Sequence, residues 1–257
     1  MISDNSVPNN RVMASKKSFA ILDQLKDSDG MGVTEIAEEV SIAKSTVHNH
    51  LQTMEEIGYV VQNSDGYHVG LRFLELGVQA RERHGLYQAA KPEVDALVED
   101  VGERAQLMVE ENNVGIYVYQ ARSNRSVNTD SHIGARVNLH TTSVGKAYLA
   151  FLPDEERNAI INRIEFNEMT PNTVVDRDEL EQELEKTRER GYALNNEERI
   201  MGMRAVGAPI LSEEGQVLGS VSVSGPTTRM KGDRFREVVP ETVVQTARVI
   251  GVRSTFS

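Results

Sequence analysis

Between Lys44 and Met54 the chain carries Lys44, Ser45, Thr46, His48, Asn49 and Gln52 and no acidic residue, in a protein of formal net charge −11. Hydroxyl, amide and imidazole groups beside one ammonium suit the edges of DNA bases. Asn and Gln can pair bidentately with adenine, and Lys meets a phosphate. A second set, Ser143-Val144-Gly145-Lys146, fits S-x-x-K, where a lysine one helical turn away can activate a serine for nucleophilic attack. The companion S-D-N and K-T-G stretches are absent, as is G-x-S-x-G. His48 and His50 diverge by about 200° on a helix and cannot share a metal. His68, His84, His132 and His140 have no spacing partner. No catalytic residue, metal or cofactor is therefore expected.

The polar residues need an element to present them, and the stretch from Gly32 to Gly58 supplies two short helices with a tight turn. Thr34 is expected to cap the first, where Ile36, Ala37 and Val40 share a face. Ser41-Ile42-Ala43 makes the turn. Lys44 or Ser45 opens the second helix, whose Val47, Leu51 and Met54 form the inward stripe. Ser45, Asn49 and Gln52 then point away from it, with Thr46 and His48 on the shoulders. Gly58 ends this helix. Tyr59-Val60-Val61 and Tyr67-His68-Val69 follow as β-like runs joined by Gln62 to Gly66, where Asp-Gly is a hairpin signal. With a first helix over Ser15 to Lys26, carrying Phe19, Ile21, Leu22 and Leu25, the order is that of a winged helix-turn-helix. A winged helix that binds protein instead of DNA is the alternative use of the same elements.

At 257 residues two domains are expected. The winged helix takes residues 12–70, after a polar stretch in which Arg11 is the one candidate for a DNA-contacting arm. A linker helix over 71–85, with Leu71, Leu74, Leu76 and Val78, is placed to pack on a second copy. The rest, 86–257, reads as a sheet covered by helices, α+β. Its expected pieces are a helix over Leu86–Val101 with Pro92 at a first-turn position, strands Ala105–Glu110 and Val114–Ala121, and a short strand near Arg136–Leu139. A helix then starts at Thr142 or Ser143 and another runs from Pro153 to about Ile164. Asp178–Arg190 is helical, Tyr192–Asn195 extended, Met203–Leu211 and Val217–Ser224 are longer strands, and a helix from Asp233 to Val252 comes last.

No cysteine occurs, so there is no thiol chemistry and no disulfide. No apolar run reaches the roughly 18 residues of a membrane span, and the polar start lacks a signal peptide's apolar core. A cytoplasmic protein is expected. Only eight lysines stand beside twenty arginines and 39 acids, a balance suited to a salt-rich cytoplasm, as in halophiles. Residues 1–70 hold five cations against ten carboxylates. Concentrated salt also removes most of the gain from counterion release. DNA affinity is thus expected to lean on direct contacts and dimerisation more than on charge.

Three stretches of the second domain carry a further pattern: Leu139-His140-Thr141-Thr142-Ser143-Val144-Gly145-Lys146-Ala147, Arg190-Gly191-Tyr192-Ala193-Leu194-Asn195-Asn196-Glu197-Glu198, and Gly202 through Ala208-Pro209-Ile210 to Ser222-Val223-Ser224-Gly225-Pro226. In this order, behind a winged helix, they resemble the IclR family of transcriptional regulators over essentially the full chain. With the charge balance, a halophilic archaeal source is expected. The resemblance implies a curved antiparallel sheet flanked by helices in the effector-binding domain. It also implies a homodimer or tetramer, double-stranded operator DNA as partner, and a small organic acid or aromatic catabolite as effector. Carried over position by position, it assigns the effector site to Ser143, Val144, Asn195, Ala205, Ser222 and Ser224. Asn195 and Ala205 stand where the family often has Asp and Cys, so the effector is expected to differ from a small keto acid, with a sugar acid or another hydroxylated anion favoured. Ser222 and Ser224, two apart on a strand, share one face, and the amides at the start of the helix near Ser143 attract an anion. The S-x-x-K hydrolase is kept only as an alternative.

Overall fold

A computed structural model describes residues 12–127 and 129–255. The arm expected at Arg11 lies outside the described residues. The chain divides into two compact units, one ending at Ala80 and the other starting at Arg81.

In the first unit α1 (Met13–Lys26), α2 (Val33–Glu39) and α3 (Lys44–Glu56) precede a hairpin of β1 (Val60–Asn63) and β2 (Gly66–Val69) and then α4 (Arg72–Glu82). Ile21, Leu25, Ile36, Val47, Leu51, Met54, Val60 and Tyr67 share one buried core. The stripe of Val47, Leu51 and Met54 is thus the inward face of α3, whereas Phe19 of α1 stays exposed. Thr34 does not cap α2. The helix begins one residue before it, with extended Gly32 as the capping residue and the Gly32 carbonyl accepting from the Ile36 amide at 3.0 Å. The turn between α2 and α3 closes by amides reaching back: Ile42 donates to the Ala37 carbonyl at 3.1 Å and Ser41 to Glu38 at 3.3 Å. That Schellman pattern needs a left-handed residue, normally Gly, and here Ser41 takes it with φ 52°. α3 ends in the same way, with Gly58 in the left-handed role and Tyr59 donating to the Met54 carbonyl at 2.8 Å.

The hairpin is tighter than expected. Asn63 pairs with Gly66, so only Ser64 and Asp65 turn. Gly66 cannot carry a side chain, since a Cβ would meet the Met31 amide nitrogen at 2.7 Å. Met31 lies alongside because it bridges to Tyr67. α4 has no buried residue of its own, but the Phe73 ring packs at a tilt against Tyr59, just before the hairpin, with centroids 4.8 Å apart.

The second unit opens with α5 (Gly85–Val101). It begins one residue before the expected Leu86, and Pro92 lies inside the helix, not in its first turn. Then come β3 (Arg104–Glu111), β4 (Val114–Ala121), β5 (Arg136–Val137), α6 (Ser143–Phe151), α7 (Asp154–Ile161), α8 (Arg177–Arg190), β6 (Ala193–Asn196), β7 (Met203–Leu211) and β8 (Val217–Pro226). β8 carries on through Gly225-Pro226 because Met203 and Arg204 of β7 still pair with that end. A π-turn over Arg234–Val238 leads into α9 (Val239–Ser254). Pro240 explains the wide turn. It has no amide proton for the Arg236 carbonyl, and the Tyr192 hydroxyl donates to that carbonyl instead, at 3.3 Å.

Six antiparallel strands stand in the order β5-β4-β3-β8-β7-β6. Bulges at Leu107/Met108 and Ile210/Leu211 interrupt the ladder and bend it. Alternation gives the sheet two unlike faces. Ala105, Leu107, Val206, Ala208, Val221 and Val223 pack under Val94 and Leu97 of α5 and Val243 and Ile250 of α9. The other face presents Arg104, Gln106, Ala205, Gly207 and the row Ser220, Ser222, Ser224. α6 crosses that face at very short range. A Cβ on Gly207 would stand 2.6 Å from the Ser143 carbonyl carbon, and one on Gly145 would stand 2.2 Å from the Leu139 carbonyl oxygen.

Both obstacles at these glycines are backbone, so neither can swing aside. Gly145→Ala should lower stability by about 1–3 kcal/mol, read as a lower urea midpoint at unchanged slope. Gly77→Ala on exposed α4, where nothing stands within 4 Å of a Cβ, should raise it by up to about 1 kcal/mol.

Candidate nucleic-acid interface and ligand cleft

On α3, Lys44, Ser45, His48, Asn49 and Gln52 are exposed and Thr46 is half-buried. The face is therefore intact as an outward surface, with no carboxylate before Glu55. His50 does not belong to it. Its ring is hydrogen-bonded to the Ser18 hydroxyl of α1 at 2.8 Å. The hairpin tip is of opposite character, because Asp65 is exposed there beside His68 at 3.0 Å. That hydrogen bond holds the Asp65 carboxyl below the usual carboxylate range, so the tip stays negative.

In the second unit, five of the six residues assigned by resemblance line one cleft: Ser143, Asn195, Ala205, Ser222 and Ser224. Pairing explains the gathering. Arg104 of β3, Ser224 of β8, Ala205 of β7 and Asn195 of β6 stand opposite one another in a single row across four strands. Gln106, Ser222 and Gly207 form the next row. The start of α6 roofs the floor that these rows make. Val144 is the exception. Its side chain is buried in the core behind α6 with Leu149, Ile161 and Leu180, so only its backbone is near the helix start. The cap of α6 is Thr142, whose hydroxyl accepts from the Gly145 amide at 3.1 Å, not Ser143, the first helical residue.

Asn195 is committed before any ligand arrives. Its amide nitrogen donates to the Thr141 carbonyl at 2.6 Å and its oxygen accepts from the Glu198 amide at 3.2 Å. It positions the loop after β6 against the start of α6.

Sequence reasoning missed the cationic part of the wall. Arg104, Arg199 and Arg204 line the cleft, together with Gln106, Tyr117 and Ser131, and no Asp or Glu does. Arg199 is held by Asp130 at 2.6 Å. Arg204 reaches Asn196 at 2.7 Å and lies over the Phe235 ring. Burial pushes the Tyr117 hydroxyl up to about 12, so it is a neutral donor. The signal was faint: Arg104-Ala105-Gln106 alternates polar and apolar in a strand expected to start one residue later.

Lys146 does not serve Ser143. Its Nζ donates to both oxygens of Glu198, at 2.9 and 2.7 Å, and the pair is buried. Glu183 stands 3.9 Å away. With its lysine neutralised by a carboxylate, the S-x-x-K hydrolase reading fails. Nearby, His140 is buried with neither ring nitrogen hydrogen-bonded, and its ring meets Phe166 at 5.2 Å. Burial, helped by the Lys146 charge, pulls its pKa down to about 4. Among the described residues no cluster of three His, Asp or Glu could hold a metal, and no helix is long and apolar enough to cross a membrane.

A winged helix presenting an acid-free outward face, joined to a domain with a polar cleft, defines a ligand-responsive DNA-binding regulator. The comparisons with known proteins agree. Residues 16–64 match the IclR helix-turn-helix domain and residues 78–252 match the "Bacterial transcriptional regulator IclR C-terminal" domain. A protein of Halobacterium salinarum named "Probable HTH-type transcriptional regulator ArcR" is 34% identical over 95% of this chain and 94% of its own. The crystal structure of Thermotoga maritima IclR is 30% identical, with a TM-score of 0.76 over 94% of this chain and all of that one. An IclR homologue from Microbacterium hydrocarbonoxydans, complexed with 4-hydroxybenzoate, has a TM-score of 0.81 at 22% identity, covering 95% of this chain and 100% of its own. The chain belongs to the IclR family of transcriptional regulators: it is a DNA-binding regulator with a C-terminal ligand-binding domain, and not an enzyme.

Two buried groups make measurable claims. The His140 ring binds its proton less readily folded than unfolded, so its contribution is fully present above about pH 6.5 and lost as pH falls toward 4. Between these limits wild type should lose about 3 kcal/mol more than His140→Gln, seen in denaturation at several pH values. Lys146→Met, which strands Glu198, should cost about 3–5 kcal/mol. Adding Glu198→Leu should recover much of that loss in the same assay.

Proposed function

We propose that the cleft under α6 is the effector site, and that a small organic anion bound there changes the DNA affinity of a dimer. The observation that carries this reading is the cleft's composition. Ser222, Ser224 and Ser143, far apart in sequence, meet beside arginines and a helix start, with no carboxylate in the wall. Amides of a first helical turn have no partner within the helix and favour negative charge. The 4-hydroxybenzoate in the Microbacterium homologue is a carboxylate of the size such a cleft takes, and a hydroxylated acid such as a sugar acid suits the serines.

The reading helix is α3. Ser45, Thr46, His48, Asn49 and Gln52 meet base edges in the major groove, and Lys44 meets a phosphate. Residues 12–70 act as the DNA-binding domain, 71–85 as the linker and 86–257 as the effector-binding domain. A homodimer, alone or paired into a tetramer, places two such helices about 34–36 Å apart. The regulator works in the cytoplasm, and the acid-rich composition suits concentrated potassium there. Effector binding shifts the balance between arrangements of the dimer by a coupling of about 1–3 kcal/mol.

Gel shift with the protein's own upstream region, in concentrated KCl, should show a specific complex whose midpoint moves when effector is added. Asn49→Ala should flatten the preference for the specific site, and Lys44→Ala should weaken every fragment alike. An effector at 100 times its dissociation constant should add about 2.7 kcal/mol of stability. Retention of that gain by Ser222→Ala with Ser224→Ala would disprove the site.

A further inference from the structure

Arg104 is 2% exposed, yet no carboxylate lies within ion-pairing distance of it among the described residues. Its two terminal nitrogens donate to the Thr129 hydroxyl and the Val127 carbonyl, both neutral. Its Nε is buried and has no acceptor. The charges that act on it include two further guanidinium groups, Arg122 and Arg199, which repel it, and Asp130, which already holds Arg199. Burial first, and then the two guanidinium groups, pull its pKa below the ordinary arginine value, so the charge is held at a cost. An isolated buried cation is expensive and is ordinarily matched by an anion. Other buried charges of this unit obey that rule: Glu103 is gripped by Arg229 through two bonds of 2.6 and 2.7 Å, and Lys146 by Glu198. Arg104 is the exception, and it stands in the wall of the cleft.

The cleft thus offers anions two separate anchors. One is the start of α6, which lies over Gly207 of β7. The other is Arg104 on β3, two strands away, or about 10 Å between backbones, with Ser222 and Ser224 of β8 between them. A monoanion satisfies one anchor and leaves the other bare. We propose that the effector is a small dianion in the sense of two separate anionic groups, a short acid with a second carboxylate or a phosphate at its far end, and that Arg104 is the residue selecting the second group. This rests on the cleft being the effector site and goes further by fixing the ligand's charge and the residue that reads it.

The test uses the full chain and two matched pairs of probes at one ionic strength: succinate against butyrate, and 3-phosphoglycerate against glycerate. Dissociation constants come from melting temperature against probe concentration. Within at least one pair the dianion should bind about tenfold or more tightly, since a hydrogen bond to a charged group contributes about 1.5–3 kcal/mol. Which pair shows the larger gap distinguishes a carboxylate from a phosphate at the far end. Arg104→Gln should erase the gap while leaving the monoanion within about threefold. Equal binding within both pairs by the wild-type protein overturns the proposal without any variant, as does a protein that neither dianion stabilises. Equal weakening of both members by Arg104→Gln also overturns it, because Arg104 would then only brace the loop at Val127 and Thr129. If every probe binds unchanged after Ser222→Ala with Ser224→Ala, the cleft is not the effector site at all.

Discussion

The approach of α6 to the sheet is the constraint on which the second unit depends. Helices normally pack on sheets through side chains, about 10 Å apart. Here Gly145 lets the helix start press on the Leu139 backbone, and Gly207 lets it press on β7. Ser220 completes the contact by donating to the Val144 carbonyl at 2.8 Å. A helix laid this close cannot rest on the whole floor. Where the short side chains end and Arg104, Gln106 and Tyr117 begin, a gap remains, and that gap is the cleft.

Charge is handled differently in different parts of the molecule. Overall the chain is strongly acidic, yet the reading face of α3 and the wall of the cleft both exclude carboxylates. Acidic groups close to the cleft are tied up: Glu198 by Lys146, Asp130 by Arg199, Glu103 by Arg229. Locally the sign of the field is therefore opposite to that of the protein as a whole, which is what an anion-binding cleft in an acidic protein requires. Each of these pairs also joins segments far apart in sequence. Lys146–Glu198 fixes the loop after β6 on α6, and Glu103–Arg229 fixes the start of β3 on the segment after β8. Asn195, Thr170 and Thr173 add backbone contacts around the same loop. A ligand touching Arg199 or Ser143 thus touches a braced network, through which its binding can be felt elsewhere in the unit.

Much was legible in the residues. Period 3.6 in Val47, Leu51 and Met54 and period 2 in Ser222 and Ser224 fix which side chains share a face, and these held because both are local geometry. Met203–Leu211 was legible to the residue, being bounded by Gly202 and a turn. The misses were places where a partner decided the outcome. Thr34 lost the capping role to Gly32, two residues earlier. Pro92 stands beyond the first turn of α5, whose first apolar residues, Leu86 and Tyr87, are buried.

By itself the sequence determined the order of elements, the outward polar face of α3, the family pattern and most of the row that floors the cleft, because spacing along one chain sets facing. Only tertiary structure decided that Lys146 belongs to Glu198, that Asn195 is spent on the Thr141 carbonyl, and that Arg104 is buried without a counter-charge. Those outcomes depend on strand register and on which loops fold over the sheet, and no local spacing encodes either.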